Sequence, residues 1–263
     1  MITPLPPQRL TTEEAKKEAE RIAHAMKRRT HAALAAVFGV RADGTGDLVG
    51  TGTYLAVDGK PYLLTASHVL AEITKYPMLA HNAGHGNRPA ALKTPFCVLP
   101  DKMYDLGLAQ IDPAKLPEDI IPGDETWLAP SSDDDALERD IVFIHGWPGE
   151  RSRFFAMANG VNSESLPYWT AGGGNSSYPW FDPSIHIAID YPTEGVDESG
   201  RSVRLPDPHG LSGSAIWKSN RSENPNWFPE MAKIVGVAFA WDQPAKSLIA
   251  IRVEEVSKFL RPA

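Results

Sequence analysis

The sequence predicts an all-β protein bracketed by a helix at each end, and three observations lead there. From His31 onward the chain is cut into short β-prone runs by glycine, proline and aspartate turns, with 21 Gly and 23 Pro among 263 residues. Residues 12–29 repeat apolar side chains at helical spacing instead, and Val253, Val256, Phe259 and Leu260 do the same at the far end. Between them no helical segments alternate with the strands, which excludes a parallel βα architecture.

Taken in order, Thr11 and Glu14 form a capping box ahead of Ala15, Ala19, Ile22, Ala23 and Met26, and the segment closes on Lys27-Arg28-Arg29. An acidic start and a basic end both suit the helix dipole. The alanine-rich stripe is expected to lie against the protein body as an extension, with a partner-binding helix as the alternative. Strands are expected at 31–40, 49–57, 61–66, 78–81, 94–99 and 105–111, with Asp58-Gly59 as the hairpin turn after the second. The stretch from Pro113 to Asp140 reads as a crossing between halves, its run Ser131-Ser132-Asp133-Asp134-Asp135 as a solvated loop. Further strands are expected at 141–145, 152–160, 166–170, 184–190, 213–219, 233–241 and 247–252. Residues 163–207 are rich in aromatic, glycine and proline residues, as long loops on a β scaffold often are where specificity resides. The expected units are thus 1–30, a helical extension; 31–120, a first β unit; and 121–263, a second with the closing helix.

Composition narrows the function. A net charge of −7 leaves no basic footprint for nucleic acid. No run approaches the length of a membrane span, and Met1–Pro7 lacks the pattern of a secretory signal. Cys97 is the sole cysteine, which rules out an internal disulfide and points to a reducing, cytoplasmic location. Between Phe96 and Val98 it reads as a buried small hydrophobe. Gly172-Gly173-Gly174 lacks the lysine and hydroxyl of a phosphate loop, and the acidic run lacks histidine and regular ligand spacing, so neither cofactor nor metal is expected.

The chemistry concentrates at Pro208-His209-Gly210-Leu211-Ser212-Gly213-Ser214-Ala215-Ile216-Trp217. A serine hydroxyl is a weak nucleophile and needs an exposed tight turn with backbone N–H groups beside it; glycines around Ser212 allow that turn, although Gly-x-Ser-Gly also occurs in ordinary turns. His68, in Thr65-Ala66-Ser67-His68 after the apolar run Tyr62-Leu63-Leu64, is the candidate base, with a capping or buried structural histidine as the alternative. Asp105, opening Asp105-Leu106-Gly107-Leu108-Ala109, is the candidate orienting acid, with Asp101 as the fallback and plain strand-end capping as the other reading.

Together these stretches resemble the trypsin-like (chymotrypsin-fold) serine peptidases. Thr-Ala-x-His, Asp-Leu-x-Leu-Ala and Gly-x-Ser-Gly stand in the family's order, 37 and 107 residues apart. Gly146-Trp147-Pro148-Gly149 matches the turn of disulfide-free bacterial members. The resemblance covers the chain from about residue 31 and implies two six-stranded antiparallel β-barrels, a triad of His68, Asp105 and Ser212, and an oxyanion hole from the N–H groups of Gly210 and Ser212.

Departures refine it. Leu211 replaces the aspartate that pairs with a new N-terminus in secreted members, so that activation route is not expected. Ser214 and Ala215 replace the more usual Gly and Pro. Pro206, with Asp207 next, stands where the family often places its pocket-base residue, which leaves a basic-residue preference unsupported. Gly236–Trp241 resembles the strand that pairs with substrate backbone, allowing for a one-residue shift. Ala238, Phe239 and Ala240 are then the expected substrate contacts, with room for a small or apolar side chain. The expected activity is endopeptidase cleavage of a protein or peptide, under a regulatory partner or other control the sequence does not identify. A catalytically silent peptide-binding module is the rival. An α/β-hydrolase esterase is rejected, because it needs Gly-x-Ser-x-Gly and a parallel sheet.

Overall fold

The computed structural model describes residues 12–83, 89–116, 120–129, 140–155, 160–171, 173–196, 201–221 and 226–261. The capping-box residue Thr11, the acidic run 131–135 and Gly172 lie outside them. The described residues form two curled antiparallel sheets with three helices around them.

The first sheet takes its strands from the first half of the chain: β1 (Leu34–Val40), β2 (Gly46–Val57), β3 (Lys60–Thr65), β4 (Met78–Ala83), β5 (Ala90–Ala91), β6 (Cys97–Pro100) and β7 (Asp105–Gln110). Their order is β5-β4-β1-β2-β3-β7-β6. The seventh strand beyond the six expected is β5, a two-residue pairing on the outer side of β4. In the second half come β8 (Ile141–Gly146), β9 (Ser152–Phe155), β10 (Gly160–Ser163), β11 (Leu166–Ala171), β12 (His186–Asp190), β13 (Glu194–Val196), β14 (Ser202–Arg204), β15 (Ala215–Lys218), β16 (Lys233–Asp242) and β17 (Ser247–Arg252). Six of them build the second sheet, in the order β11-β8-β15-β16-β17-β12; β9 with β10 and β13 with β14 form separate hairpins. The β13–β14 hairpin falls inside the stretch expected to be loop.

The helices are α1 (Thr12–His31), α2 (Ser67–Ala71) and α3 (Val253–Leu260). The first runs to His31 where a strand was expected, and Thr30 donates its hydroxyl back to the Met26 carbonyl at 2.8 Å in that last turn. Ile22 and Met26 are fully buried in the same cluster as Tyr54 and Leu63 of the first sheet and Trp217 and Ile249 of the second. One core therefore spans helix and both sheets, and each such side chain contributes about 1.5–3 kcal/mol by its burial. Arg29 adds a specific clamp: its guanidinium lies 5.1 Å from the Trp127 ring and 5.5 Å from the Trp217 ring, and it donates to the Pro229 carbonyl.

Cys97 departs from the expectation of burial: it is exposed. Its strand β6 forms one edge of the first sheet and among the described residues pairs only with β7, which leaves Val98 and Leu99 exposed as well. Among the described residues no helix is long and apolar enough to cross a membrane.

Candidate active site

Strand register brings His68 and Asp105 together. Thr65 pairs with Gly107 in the antiparallel β3–β7 ladder, so two residues beyond each, Ser67 faces Asp105 across the end of the sheet. There α2 begins, and its N-cap residue Ala66 offers no side chain to the free N–H groups of the first turn. Asp105 supplies the acceptor instead: Oδ1 takes the His68 N–H at 2.9 Å and the Ser67 hydroxyl at 2.5 Å. Its second oxygen lies 2.5 Å from His68 Nδ1. With Oδ2 accepting, Nδ1 carries the proton and Nε2 is left as the basic nitrogen. The imidazole is 48% exposed and the carboxylate 14%, so the ring meets solvent while the carboxylate is largely shielded. Burial pushes the Asp105 carboxyl up, but the hydrogen bonds from His68 and Ser67 outweigh it and hold the group below its ordinary value. Gly107 makes the docking of α2 feasible, since a Cβ there would come within 2.8 Å of Leu70 and 3.2 Å of the Ser67 Cα.

The serine loop docks on the first sheet from the other side. Pairing of β3 with β2 ends at Thr53–Leu64, which leaves the main chain of Thr51 free to bond elsewhere. Its N–H donates to the Ser212 carbonyl at 2.8 Å, and its carbonyl accepts the Thr65 hydroxyl at 2.6 Å. Gly213 follows at φ +91°, with its N–H on the Ala238 carbonyl at 2.7 Å; a Cβ there would meet the Thr51 carbonyl oxygen at 1.9 Å. Ser212 thus rests beside Gly50, whose hypothetical Cβ would touch both Val69, next to His68, and the Ser212 carbonyl. The Ser212 hydroxyl is partly buried and faces the Phe239 carbonyl at 3.4 Å. Phe239 sits at a register shift between Ala238 and Ala240, and the bulge turns its carbonyl away from the ladder. Among the described residues no hydrogen bond joins Ser212 to His68.

Gly210 is held through both neighbouring peptides. The His209 carbonyl accepts the Gly149 N–H at 2.8 Å, and the Gly210 carbonyl accepts the Thr51 hydroxyl at 2.7 Å. Its φ of +95° is open to glycine, and a Cβ would strike the Trp147 carbonyl at 2.5 Å. Among the described residues neither the Gly210 N–H nor the Ser212 N–H has an acceptor in the protein, so both can donate to an incoming oxygen. Leu211 is 1% exposed in the second apolar cluster, so packing anchors the loop where the resemblance would place an ion pair. Ser214 is fully buried, its hydroxyl without a partner among the described residues, and it leaves room at Gly146 only for hydrogen.

The remaining expected contacts divide. Pro206 is buried with its carbonyl on the Tyr191 hydroxyl at 2.9 Å, while Asp207 is exposed and accepts the His209 N–H at 2.9 Å, a turn-forming bond. Ala238 is buried, Ala240 partly so, and the Phe239 ring packs against Tyr178 and His186, 5.9 and 5.4 Å between centroids. Asp101 accepts the Met103 N–H at 2.7 Å in a local turn and plays no part at His68. Sequence reasoning missed Ser67 and Thr51. The first stood inside a quoted motif; the second had no signal beyond a hydroxyl between two glycines. Among the described residues no group of three or more His, Cys, Asp or Glu side chains could hold a metal.

No family model matches the chain, and no curated protein matches it. Among solved structures it is similar to the HtrA-type protease AlgW with a tripeptide, at 14% identity over 91% of this chain and 64% of that one, with a TM-score of 0.53. It is also similar to an M. tuberculosis protease in its active form, at 15% identity over 99% and 92% of the two chains with a TM-score of 0.49. A third is the serine protease domain of the Sesbania mosaic virus polyprotein, at 16% identity, 88% and 94% coverage and a TM-score of 0.46. The first of these likenesses shows the fold alone: the two sheets are arranged as in that HtrA-type protease, and the chain spans a little under two thirds of the AlgW chain.

Proposed function

We propose that the chain is a serine endopeptidase in which His68, Asp105 and Ser212 act as a triad. Ser212 Oγ attacks the scissile carbonyl carbon as His68 Nε2 takes its proton, and the Gly210 and Ser212 N–H groups receive the oxyanion. Collapse of the adduct breaks the C–N bond, with the proton passing from His68 to the departing amine. Water then attacks the acyl-enzyme with His68 again as base, which releases the acid and restores the serine. The observation that carries this reading is the pair of N–H groups at Gly210 and Ser212, unused among the described residues, on a loop docked beside a histidine whose Nδ1 is tied to a half-buried aspartate. The lone exposed cysteine and the absence of basic character favour a cytoplasmic enzyme acting on protein or peptide.

A fluorophosphonate probe should label the wild-type protein at Ser212, and Ser212→Ala should abolish both labelling and peptide hydrolysis, a loss of several powers of ten. Hydrolysis that survives Ser212→Ala overturns the assignment. The rival reading, a silent peptide-binding module, draws on the Ser212 hydroxyl facing the Phe239 carbonyl rather than His68; peptide binding without labelling would select it.

A further inference from the structure

Thr51 is fully buried and lies on β2, in the sheet opposite the one that carries most of the serine loop's other contacts, yet four hydrogen bonds converge on it. Its main chain joins Ser212 and Thr65, as described. Its hydroxyl accepts the Trp147 N–H at 2.9 Å and donates to the Gly210 carbonyl at 2.7 Å. A hydroxyl has one proton to give, and here it goes to Gly210, so the two bonds fix each other's direction. The bond to Trp147 holds the turn Trp147-Pro148-Gly149, and the Gly149 N–H in turn holds the His209 carbonyl.

The peptide that contains the Gly210 N–H is therefore set from both ends. Its own carbonyl, that of His209, is tied to Gly149; because the peptide unit is planar and trans, its N–H points the opposite way. The following carbonyl, that of Gly210, is tied to Thr51. Gly210, at φ +95° and without a side chain, has little steric resistance to rotation, so these two bonds are what select its orientation.

We infer that the Thr51 hydroxyl is a positioning residue for the oxyanion-binding loop, acting through the Gly210 carbonyl and the Trp147 N–H and touching no substrate. The inference rests on the serine peptidase reading. Removing the hydroxyl leaves the Gly210 carbonyl and the Trp147 N–H buried and unpaired, and the orientation of Gly210 loses one of its two anchors, with only the His209–Gly149 bond remaining. The deficit falls on the step in which negative charge develops, not on substrate association.

The test is steady-state hydrolysis of a peptide substrate by wild type, Thr51→Val and Thr51→Ser. Val keeps the branched shape and loses the hydroxyl; Ser keeps the hydroxyl. Thr51→Val is expected to lower kcat about 100-fold, the scale of losing one oxyanion donor, with KM within about twofold and the acidic limb of the pH–rate profile unmoved, since His68 and Asp105 are untouched. Thr51→Ser should restore most of kcat. Equal kcat in Thr51→Val and wild type, or equal damage in Thr51→Val and Thr51→Ser, overturns the role of the hydroxyl. If Thr51→Val does not fold, Thr51→Cys, with a poorer donor of similar size, takes its place with the same expected order. A wild type that neither turns over nor labels with fluorophosphonate sinks the peptidase reading itself, a result distinct from either outcome at Thr51.

Discussion

The two sides of the candidate site are assembled by different means. On the His68 side, the parts are close in sequence or brought together by a single ladder: Ser67 and His68 are neighbours, and the β3–β7 register sets Asp105 opposite them. On the Ser212 side, one loop is held by Thr51 from β2, Gly149 from the turn after β8, and Ala238 from β16, residues almost 190 positions apart. The first arrangement is rigid once one sheet forms. The second exists only after both sheets and the turns between them have packed, so it is the side whose geometry depends on the whole fold.

That contrast predicts effects of different kinds. Asp105→Asn should reduce kcat/KM by about ten thousandfold, because the wrong tautomer of His68 is then favoured. The low-field Nδ1 proton of the His68–Asp105 pair should vanish from the NMR spectrum, while thermal stability changes little beyond the loss of the α2 contacts. Persistence of activity within tenfold of wild type would place the orienting acid elsewhere. Gly213→Ala should act on the other side alone. It combines a strained φ with a clash against the Thr51 carbonyl, so the loop must lift from β2, at a cost in stability of at least about 2 kcal/mol. A displacement of about 1 Å at the nucleophile reduces the rate on the order of 100-fold. The low-field His68 proton should survive in this variant; its disappearance would mean that the two sides are not independently built.

The same contrast explains what the sequence revealed. The strands and the terminal helices were legible because each depends on local pattern, alternation or helical spacing, and His68, Asp105 and Ser212 could be named as candidates because each stands in a short motif. Asp105 was preferred to Asp101 on its Asp-Leu-x-Leu-Ala motif, but its place opposite Ser67 follows from the β3–β7 register, which no local pattern encodes. Thr51 was invisible because its value comes from partners at Trp147, Gly210 and Ser212, and the β13–β14 hairpin because its three-residue strands fall below any periodicity. Cys97 was misjudged because flanking apolar residues indicate a strand but not whether that strand is an inner or an outer one.

The smallest predicted effect concerns the support behind the serine side. His145 precedes the Gly146–Gly149 turn on β8 and is fully buried, its Nδ1 2.7 Å from the Thr30 hydroxyl of α1 and its Nε2 2.9 Å from the Ser165 hydroxyl. Thr30 spends its proton on the Met26 carbonyl, so it accepts from Nδ1–H, and Ser165 donates to Nε2; the ring is satisfied as the neutral form. Burial first, then the nearby charge of His31 and Lys27, depress its pKa from 6.5 to about 3. The unfolded chain therefore binds a proton below pH 6.5 that the folded chain refuses until about pH 3, and stability falls as pH drops through that window. Between pH 7 and pH 5 the group removes about 2 kcal/mol. His145→Gln, which does not titrate, should flatten that part of the pH–stability curve in denaturant melts while leaving the slope from His81, whose pKa burial lowers to about 4. An unchanged slope in His145→Gln would mean that α1 is anchored to β8 without a proton-sensitive contact, and that the serine side owes its support to the Arg29 clamp and the buried Ile22 and Met26 instead.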